Sequence, residues 1–252
     1  MAQTTAASIA KVFAAAPLEQ LPELIETHIA DPRKSVQATV TRAVKRYEAY
    51  IKERERVAGL YRYQASFGEP AIGVDEVGRG PLAGPLAVGA VVLPPEPQLL
   101  GLNDSKKLSS SRREELASQI KEIALSWTVV YKEPQVIDEV GIGRALKDAM
   151  AGAIAATGYG DRAAAVLVDG NPVHVHPLET SIVKGDGRVA AIAAASIVAK
   201  VERDALMAVY DQQYPGYGFA HNKGYGSADH IEAIKQLGLT PLHRRSFCGH
   251  FL

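Results

Sequence analysis

The 252-residue chain carries 28 Lys and Arg residues and 28 Asp and Glu residues, so its formal charge is zero. A hydrophobic fraction of 47% and a charged fraction of 22% exclude a disordered tail, a collagen-like repeat and a membrane bundle. Cys248 is the single cysteine, so no internal disulfide can form, and this predicts a reducing compartment. A neutral chain has no overall attraction to nucleic acid, so any polyanion must meet a locally basic face.

Residues 1–17 resemble a secretory signal peptide only in their apolar character. No Lys or Arg precedes the apolar stretch and Lys11 interrupts it, so the charged start of such a signal is missing. No stretch of the sequence reaches the ~18 consecutive apolar residues that a transmembrane helix needs. These features predict a cytoplasmic protein with no membrane partner.

The N-terminal part of the sequence has the apolar spacing of helices. Two helices are predicted before residue 30, and Asp31 followed by Pro32 predicts the start of a third. Apolar residues at steps of three and four extend this third helix to about residue 61. Because the segment has no catalytic constellation, we expect a helical extension over residues 1–68 and a second domain over residues 69–252.

From residue 69 onward the pattern changes to apolar strands, glycine turns and intervening helices. The segment GRGPLAGP joins the first two strands and predicts a hairpin. The predicted strands are 72–77, 86–93, 127–131, 164–168 and 180–183, and the predicted helices are 109–126, 145–156, 189–210 and 227–237. This alternation predicts an α/β domain with its functional residues at the strand ends.

Acidic residues stand at the ends of three apolar, strand-like segments. Asp75 and Glu76 lie within IGVDEVG, Asp169 ends AAAVLVDG, and Asp186 follows SIVKG. Buried carboxylates are costly unless compensated, and like charges at one place raise one another's pKa. A hard divalent cation relieves this repulsion, so we predict that the four acids bind Mg²⁺ or Mn²⁺ and that two such ions act on a phosphodiester. The alternative is that each acid only caps a strand or a turn.

Asp75 and Glu76 present a geometric difficulty, because neighbouring residues of a strand point to opposite faces. One solution is that the strand ends or twists at Glu76, which Gly78 and Gly80 allow. The other is that Glu76 contributes its backbone carbonyl to a metal ion. The sequence leaves both alternatives open.

A glycine turn and a set of polar residues are candidates for substrate contact. The turn Gly78-Arg79-Gly80 lets a backbone approach the 2′-hydroxyl that distinguishes RNA from DNA, or else it is only a tight hairpin turn. Tyr225, between two glycines, is a candidate for stacking on a sugar or base, or else for packing. Phosphate-binding candidates, each with a solvated surface role as the alternative, are Asn103, Ser105, Lys106, Lys107, Lys184, Lys200, Arg203, Lys223, Arg244 and Arg245.

Histidine and cysteine do not predict a second site. His174, His176, His221, His230 and His243 lack the spacing of zinc ligands. Cys248 has no base partner in the sequence, and we interpret it as a bystander.

Seven ordered blocks of the chain carry a family resemblance: GVDEVGRGPLAGP, LNDSKKLS, VLVDGN, IVKGDG, AAASIVAKVERD, NKGYGSADH and HRRSF. With these blocks in this order, the chain closely resembles bacterial ribonuclease HII over about residues 72–247. The preceding segment is similar to an N-terminal extension found in some members. The resemblance implies a ribonuclease H fold, which is a mixed sheet flanked by helices with an acidic cluster on its face.

The resemblance also implies roles for individual residues. The four metal-binding acids of the family fall on Asp75, Glu76, Asp169 and Asp186, the Gly78-Arg79-Gly80 turn reads the 2′-hydroxyl, and Tyr225 contacts the next sugar at an RNA–DNA junction. The implied reaction is endonucleolytic cleavage within an RNA–DNA hybrid or 5′ of a ribonucleotide in duplex DNA, leaving a 3′-hydroxyl and a 5′-phosphate. We expect a monomer whose partners are RNA–DNA hybrids and DNA duplexes that contain ribonucleotides.

Two other functions are compatible with parts of this pattern. Ribonuclease HIII cuts hybrids but handles single ribonucleotides poorly; it usually carries lysine where Arg79 stands, and its larger N-terminal platform contains a sheet. A hybrid-binding protein without catalysis is the second alternative. The presence of all four acids disfavours it, because carboxylates near phosphates weaken binding unless a metal ion is present.

Overall fold

The computed structural model of the chain describes residues 5–250. After an all-helical start, strands and helices alternate along these residues. In chain order the elements are α1 (Ala6–Ala15), α2 (Leu21–His28), α3 (Lys34–Ala65), β1 (Ala71–Val77), β2 (Leu86–Val92), α4 (Ser110–Ile123), β3 (Ser126–Lys132), α5 (Pro134–Val140), α6 (Ile142–Ala156), β4 (Ala165–Asp169), β5 (Glu179–Ile182), α7 (Ala190–Gln213), α8 (Phe219–Asn222), α9 (Ala228–Leu237) and α10 (Arg245–Cys248). Two short 3₁₀ turns, Ser105–Lys107 and Gly185–Gly187, lie near the strand ends discussed below.

The N-terminal compact unit of the described residues ends at Ala58 and is entirely helical. Apolar residues at helical spacing pack together in this unit. The buried side chains of this cluster are Ile9, Phe13, Ala16, Leu21, Val36, Val40 and Ala43. The three predicted helices are confirmed. The third begins at Lys34 and not at Pro32, because the Asp31 carboxylate accepts the backbone N–H of Arg33 (2.9 Å) in a turn before the helix.

The second compact unit begins at Gly59, so the boundary between the two compact units lies within α3. The division predicted from the sequence, between residues 68 and 69, lies where α3 has ended and β1 has not begun. That division stays a prediction.

The second unit is built on a five-stranded mixed sheet with the strand order β3-β2-β1-β4-β5. β1 is antiparallel to β2, and β2 is antiparallel to β3, which confirms the predicted hairpin. β4 is parallel to β1, and β5 is parallel to β4. The carboxyl ends of β1, β4 and β5 therefore meet at one edge of the sheet, and the predicted α/β class is confirmed.

Helices cover both faces of this sheet. On one face, α6 packs on apolar side chains of the central strands, including Ile72, Val74 and Val88. On the other face, α7 lies directly on the strand backbones, because β1 and β2 carry Gly73 and Gly89 where it crosses. A Cβ at Gly73 would lie less than 3.0 Å from backbone atoms of α7. The alanine-rich sequence of α7 thus allows an approach that larger side chains would prevent.

Three short helices, α5, α8 and α10, are not predicted by the sequence analysis. Their seven, four and four residues are too few for a 3.6-residue period to emerge. For α5, two local signals were present, Pro134 in its first turn and Gly141 after its last residue with a φ of 79°. In the described part of the chain, no helix combines the length and apolar character that crossing a bilayer requires.

Candidate active site

Three of the predicted acids lie at the edge where the carboxyl ends of the parallel strands meet. Val74 of β1 pairs with Val168 of β4, so Asp75 and Asp169 are the next residues of two adjacent strands. Asp186 lies in the 3₁₀ turn that follows β5. The backbone N–H of Gly185 donates to Asp169 Oδ1 (2.6 Å), which ties this turn to the end of β4.

The charges of these carboxyl groups act on one another. Asp75 is only 6% exposed, and burial raises its pKa well above the ordinary value. The charges of Asp169 and Glu76 raise the pKa of Asp75 further, whereas hydrogen bonds from Ser196 and from the backbone N–H of Glu76 lower it. Burial also raises the pKa of Asp186, followed by the charges of Asp104 and Asp169. The site therefore holds more negative charge than the protein itself compensates.

Lys106 is a cation whose charge reaches several members of this acidic cluster. Burial lowers the pKa of its ammonium group, but the charges of Asp104, Asp186, Asp75 and Asp169 outweigh burial, and the pKa is raised. The same ammonium lowers the pKa of Glu76 and of Asp186. Lys106 was predicted from sequence as a phosphate contact, and its place beside the acids was not foreseen.

Glu76 stands on a regular strand. β1 continues through it to Val77, and Glu76 keeps its pairing with Val88 of β2. The strand therefore does not end at Glu76, which was one of the alternatives read from the sequence. The Glu76 charge still raises the pKa of Asp75, and the charges of Asp169 and Lys106 act on the Glu76 carboxyl group. Burial raises the pKa of Glu76, and the guanidinium of Arg79, whose Nη1 lies 3.9 Å from Oε1, is the main opposing effect.

The chemistry of the donors suits a hard divalent cation. Within residues 5–250, no group of three or more His, Cys, Asp or Glu side chains is already arranged around a common point as metal ligands. The acids are neighbours without forming a closed ligand cage. Their donors are carboxylate oxygens without imidazole or thiolate, and their mutual repulsion favours a cation between them.

Two residues of this region were missed by sequence reasoning. Ser196 of α7 hydrogen-bonds Asp75, and its hydroxyl lies 3.0 Å from that of Ser105. It is a polar residue on the buried face of an alanine-rich helix, and that contrast was the available signal. Asp104 contacts the Asp186 carboxyl and accepts the backbone N–H of Lys106 (2.9 Å). Its position before a short turn made it resemble an ordinary cap.

The glycine turn after β1 has two glycines with different structural needs. Gly78 has a φ of 80°, and a Cβ there would lie less than 3.0 Å from the Arg203 guanidinium, so the fold requires glycine. Gly80 has no such φ, and a Cβ there would have no neighbour within 4 Å. The side chain of Arg79 between them is 61% exposed. The turn therefore presents open space at Gly80 that the fold itself does not require.

The prediction that Arg203 and Arg244 contact phosphate is wrong. Both side chains are fully buried. Arg203 donates to the carbonyl oxygens of Pro85, Lys223 and Ala83, and Arg244 donates to those of Gly78, Arg79 and Gly84. These guanidinium groups hold the loops around the glycine turn together, which the sequence does not reveal because the acceptors are backbone atoms of distant segments.

Tyr225 is 45% exposed and lies in a tight loop. Gly224 before it has a φ of 85°, and a Cβ there would lie less than 3.0 Å from the Ala83 carbonyl oxygen. The Tyr225 carbonyl oxygen accepts the N–H of Ser227 (2.8 Å) and lies 2.8 Å from His230 Nδ1. The ring is thus exposed while its backbone is held on several sides.

The remaining candidates for phosphate contact differ in their exposure. Lys184 is exposed and has a left-handed φ of 57°. Asn103 uses its side-chain oxygen to accept the backbone N–H of Asp104 (2.9 Å). Ser105 is buried and bonded to Ser196, so its hydroxyl faces the protein interior and not the solvent. Lys200 is paired with Asp204 (2.7 Å).

Comparison with known families adds a decisive observation to this geometry. A family model described as Ribonuclease HII matches residues 72–250, and one described as Ribonuclease HII N-terminal domain matches residues 5–68. The chain belongs to the ribonuclease HII family. The relationship predicted from the sequence blocks is therefore confirmed, and the chain is a ribonuclease H endonuclease that acts on RNA–DNA hybrids.

Individual relatives agree with the family models. The chain is 42% identical to ribonuclease HII of Enterococcus faecalis (strain ATCC 700802 / V583) over 230 residues, covering 88% of this chain and 89% of the relative. It is 46% identical to ribonuclease HII of Lachnoclostridium phytofermentans (strain ATCC 700394 / DSM 18823 / ISDg) over 219 residues, covering 86% of each. The crystal structure of ribonuclease H2 from Pyrococcus horikoshii OT3 is similar with a TM-score of 0.58 and 27% identity, covering 70% of this chain and 92% of the other.

Proposed function

We propose that this member of the ribonuclease HII family also cuts duplex DNA on the 5′ side of single embedded ribonucleotides, leaving a 3′-hydroxyl and a 5′-phosphate. The observation that carries the proposal is the edge of the sheet where Asp75 and Asp169 lie at the carboxyl ends of adjacent strands and Asp186 follows β5. The glycine turn comes directly after β1 at this same edge. One side of this edge offers carboxylates for metal-assisted hydrolysis. The other offers backbone atoms that a sugar can approach closely.

The acids that would hold the metal ions, Mn²⁺ or Mg²⁺, are Asp75, Glu76, Asp169 and Asp186. Two such ions, held by these residues, would supply activation of a water molecule and stabilisation of the leaving oxygen of a phosphodiester. The hydrogen bond from Ser196 holds the Asp75 carboxylate on its α7-facing side. The backbone N–H of Gly185 holds Asp169 Oδ1 in the same way. Glu76 contributes through its side chain or through its backbone carbonyl.

Recognition of the ribonucleotide falls to Gly78, Arg79 and Gly80. The support for this role is Gly80, where neither backbone conformation nor neighbouring atoms require glycine, so the space in front of it is free for a ligand. A 2′-hydroxyl is both a donor and an acceptor, and close approach lets the turn backbone bind it. The Arg79 side chain lies 3.9 Å from Glu76 but is 61% exposed, so it can also meet an adjacent phosphate.

The substrate strand extends past the turn in two directions. Tyr225 supplies an exposed ring for the sugar of the next nucleotide at an RNA–DNA junction. Lys106, Lys184 and Asn103 lie on exposed or half-buried loops at the same edge of the sheet and are the proposed phosphate contacts. Ser105 acts indirectly, through its hydroxyl contact with Ser196.

We also propose that residues 1–68 form a helical extension, that residues 69–252 form the catalytic domain, and that the enzyme works as a monomer.

Replacement of single acids tests the metal-binding role. Asp75→Asn and Asp169→Asn keep the side-chain shape but remove a charge, so we expect cleavage to be abolished while binding to an RNA–DNA hybrid survives. Asp161→Asn is the matched control and should leave cleavage unchanged, because Asp161 is exposed and lies in the turn before β4, at the opposite end of that strand from Asp169. Full activity in both site variants contradicts the assignment.

Mapping of the cut tests the proposed substrate. A labelled DNA duplex with one ribonucleotide is incubated with the protein and Mn²⁺, Mg²⁺ or EDTA, and the fragment ends are identified. We expect one cut 5′ of the ribonucleotide, a 3′-hydroxyl, and no product with EDTA. A protein that cuts long hybrids but leaves this duplex intact has the properties expected of ribonuclease HIII and refutes the proposal.

A further inference from the structure

Two buried histidines connect the Tyr225 loop to the segment 240–244. His230 Nδ1 lies 2.8 Å from the Tyr225 carbonyl oxygen. On its other side, His230 Nε2 lies 3.1 Å from His243 Nε2. The chain of contacts ends at the backbone N–H of Thr240, which donates to His243 Nδ1 (2.9 Å). A continuous line of hydrogen bonds therefore runs from Thr240 to the backbone of Tyr225.

The backbone groups at both ends fix the proton positions along this line. An amide N–H can only donate, so His243 Nδ1 accepts and the His243 proton is on Nε2. A carbonyl oxygen can only accept, so the His230 proton is on Nδ1. His230 Nε2 is then free to accept from His243. One arrangement of two neutral rings satisfies every contact.

The imidazole rings of His230 and His243 are buried among aromatic side chains. His230 is 0% exposed and His243 is 3% exposed. Tyr217 packs against His243 with ring centroids 5.1 Å apart, and Phe219 packs edge-on against His230 at 5.4 Å. Burial lowers the pKa of both imidazoles, which keeps them neutral. Because water has no access, loss of one ring leaves its partners unpaired.

The residue next to His243 holds the glycine turn. Arg244 Nη2 donates to the Gly78 carbonyl oxygen (2.6 Å), and Arg244 Nη1 donates to that of Arg79 (2.9 Å). Consecutive residues of one segment thus reach both elements that the proposed function assigns to sugar recognition. His243 reaches Tyr225 through His230, and Arg244 reaches the turn directly.

We propose that His230 and His243 are positioning residues that fix Tyr225 relative to the glycine turn, and that this fixed spacing gives selectivity for an RNA–DNA junction over a continuous hybrid. The inference rests on the proposed function, in which the turn reads the ribonucleotide and Tyr225 contacts the next sugar. A junction offers two different sugars one nucleotide apart. Two contacts held at a fixed spacing distinguish that pair from two identical ribose sugars.

The test compares kcat and KM for a single-ribonucleotide duplex and for a long RNA–DNA hybrid. His230→Leu keeps the bulk but removes both hydrogen bonds, and we expect the ratio of junction to hybrid kcat/KM to fall about tenfold. His230→Asn retains an N–H near the Nδ1 position and should recover most of the ratio. Ile234→Ala removes a buried side chain of the same cluster that has no polar group, so it should lower thermal stability without changing the ratio.

Tyr225→Ala separates failure of this inference from failure of the proposed function. If Tyr225→Ala leaves the junction-to-hybrid ratio unchanged, the proposed contact of Tyr225 with the substrate is wrong. If Tyr225→Ala lowers the ratio but His230→Leu does not, the positioning role of the histidines is wrong. We expect both to lower it, and the double variant to show no further loss beyond Tyr225→Ala, because the histidines act through Tyr225.

An NMR measurement tests the hydrogen-bond line in the unaltered protein. Long-range ¹H–¹⁵N spectra distinguish the two imidazole tautomers. At neutral pH we expect the proton of His230 on Nδ1 and that of His243 on Nε2. The opposite tautomer on either ring breaks the line and overturns the inference, whether or not the variants fold.

Discussion

Gly80 is a position where the fold does not require glycine but the proposed recognition of the substrate does. The fold has open space where its Cβ would be, and its φ lies outside the left-handed region. Gly78, two residues earlier, has a left-handed φ and the Arg203 guanidinium in front of it. Glycine at Gly78 is thus explained by the fold, whereas the fold does not require glycine at Gly80, where we propose that a ligand approaches.

Alanine substitutions at the two glycines should therefore affect different properties, substrate cleavage at Gly80 and the stability of the fold at Gly78. We expect Gly80→Ala to leave the free energy of unfolding within about 0.5 kcal/mol of the wild type, while single-ribonucleotide cleavage falls at least about tenfold. We expect Gly78→Ala to lower the free energy of unfolding by more than about 2 kcal/mol. Urea titrations and cleavage rates check both. Normal cleavage by a stable Gly80→Ala protein would remove the recognition role of this residue.

Arg244 shows why a buried guanidinium is not replaceable by another cation. Its planar fork reaches three carbonyl oxygens, those of Gly78, Arg79 and Gly84, from a fully buried position. A lysine ammonium is a compact charge that cannot span these acceptors. The charge would remain buried while carbonyl groups lose their donors.

We expect Arg244→Lys to lower the free energy of unfolding by about 3 kcal/mol. Arg245→Lys is a control one residue away, because the Arg245 side chain is exposed and the structure uses its backbone N–H to bind Asp138. This control should change stability by less than about 0.5 kcal/mol. Equal effects of the two substitutions, measured by urea titration, would mean that the carbonyl network contributes little.

At the scale of elements, the contact of α7 with the sheet decides where the site residues stand. The helix lies against Gly73 and Gly89, and this close approach brings Ser196 into hydrogen bonding with Asp75. A Cβ on Gly73 would meet backbone atoms of Ala191 and Ile192, which no rotamer change can move. Overpacking of this kind typically costs about 1–3 kcal/mol, and more where backbone must shift.

We therefore expect Gly73→Ala to lower the free energy of unfolding by about 3 kcal/mol or more. Gly152→Ala is the matched control in α6, because its Cβ would meet only a Val130 methyl group at 3.8 Å, an ordinary contact. In a helix interior this change should raise stability by up to about 1 kcal/mol. Chemical denaturation followed by circular dichroism measures both. A well-tolerated Gly73→Ala would show that α7 can move away from the sheet.

Local patterns were sufficient to predict most elements of the sheet and the acids at its edge. β1, β2 and β4 are built mainly from apolar residues, and an acid inside or at the end of such a run is visible without knowledge of the fold. The roles of Arg203 and Arg244 were not visible. Their partners are carbonyl oxygens more than a hundred residues away in the chain for most contacts, and backbone acceptors leave no trace in side-chain identity.

Ser196 and Asp104 were missed for a related reason. Each is explained locally, Ser196 as a small residue in an alanine-rich helix and Asp104 as the cap of a turn. Their contacts with Asp75 and Asp186 arise only when α7 and the 103–107 loop fold onto the strand ends. Sequence reasoning therefore finds the charged groups of a site more readily than the groups that orient them.

At the scale of the whole molecule, two sets of buried groups give the stability opposite dependences on pH. The raised pKa values of Asp75, Glu76 and Asp186 mean that the folded state binds more protons than the unfolded state above about pH 4. Their contribution favours the folded state at low pH and is lost as pH rises. In the metal-free protein this works against the histidine pair, whose contribution has the opposite sign.

The histidine pair should destabilise the folded protein as the pH falls. Burial and the neighbouring His230 lower the pKa of His243 from 6.5 to about 4, and burial lowers the pKa of His230. Between pH 6.5 and about 4 the unfolded state therefore binds more protons, and stability decreases with decreasing pH. For His243 alone this loss amounts to about 2 kcal/mol by pH 4.5.

His243→Gln isolates this effect, because glutamine can donate to His230 from a similar position but does not titrate. We expect the free energy of unfolding of the wild type to fall between pH 7 and pH 4.5 by about 2 kcal/mol more than that of the variant, with EDTA present to remove metal ions. The carboxyl groups are common to both proteins, so their opposite contribution cancels in the difference. Urea titrations at intervals of half a pH unit provide the measurement. Parallel stability curves for the two proteins would mean that His243 is protonated with equal ease in the folded and unfolded states, which its burial among Tyr217, Phe219 and His230 contradicts.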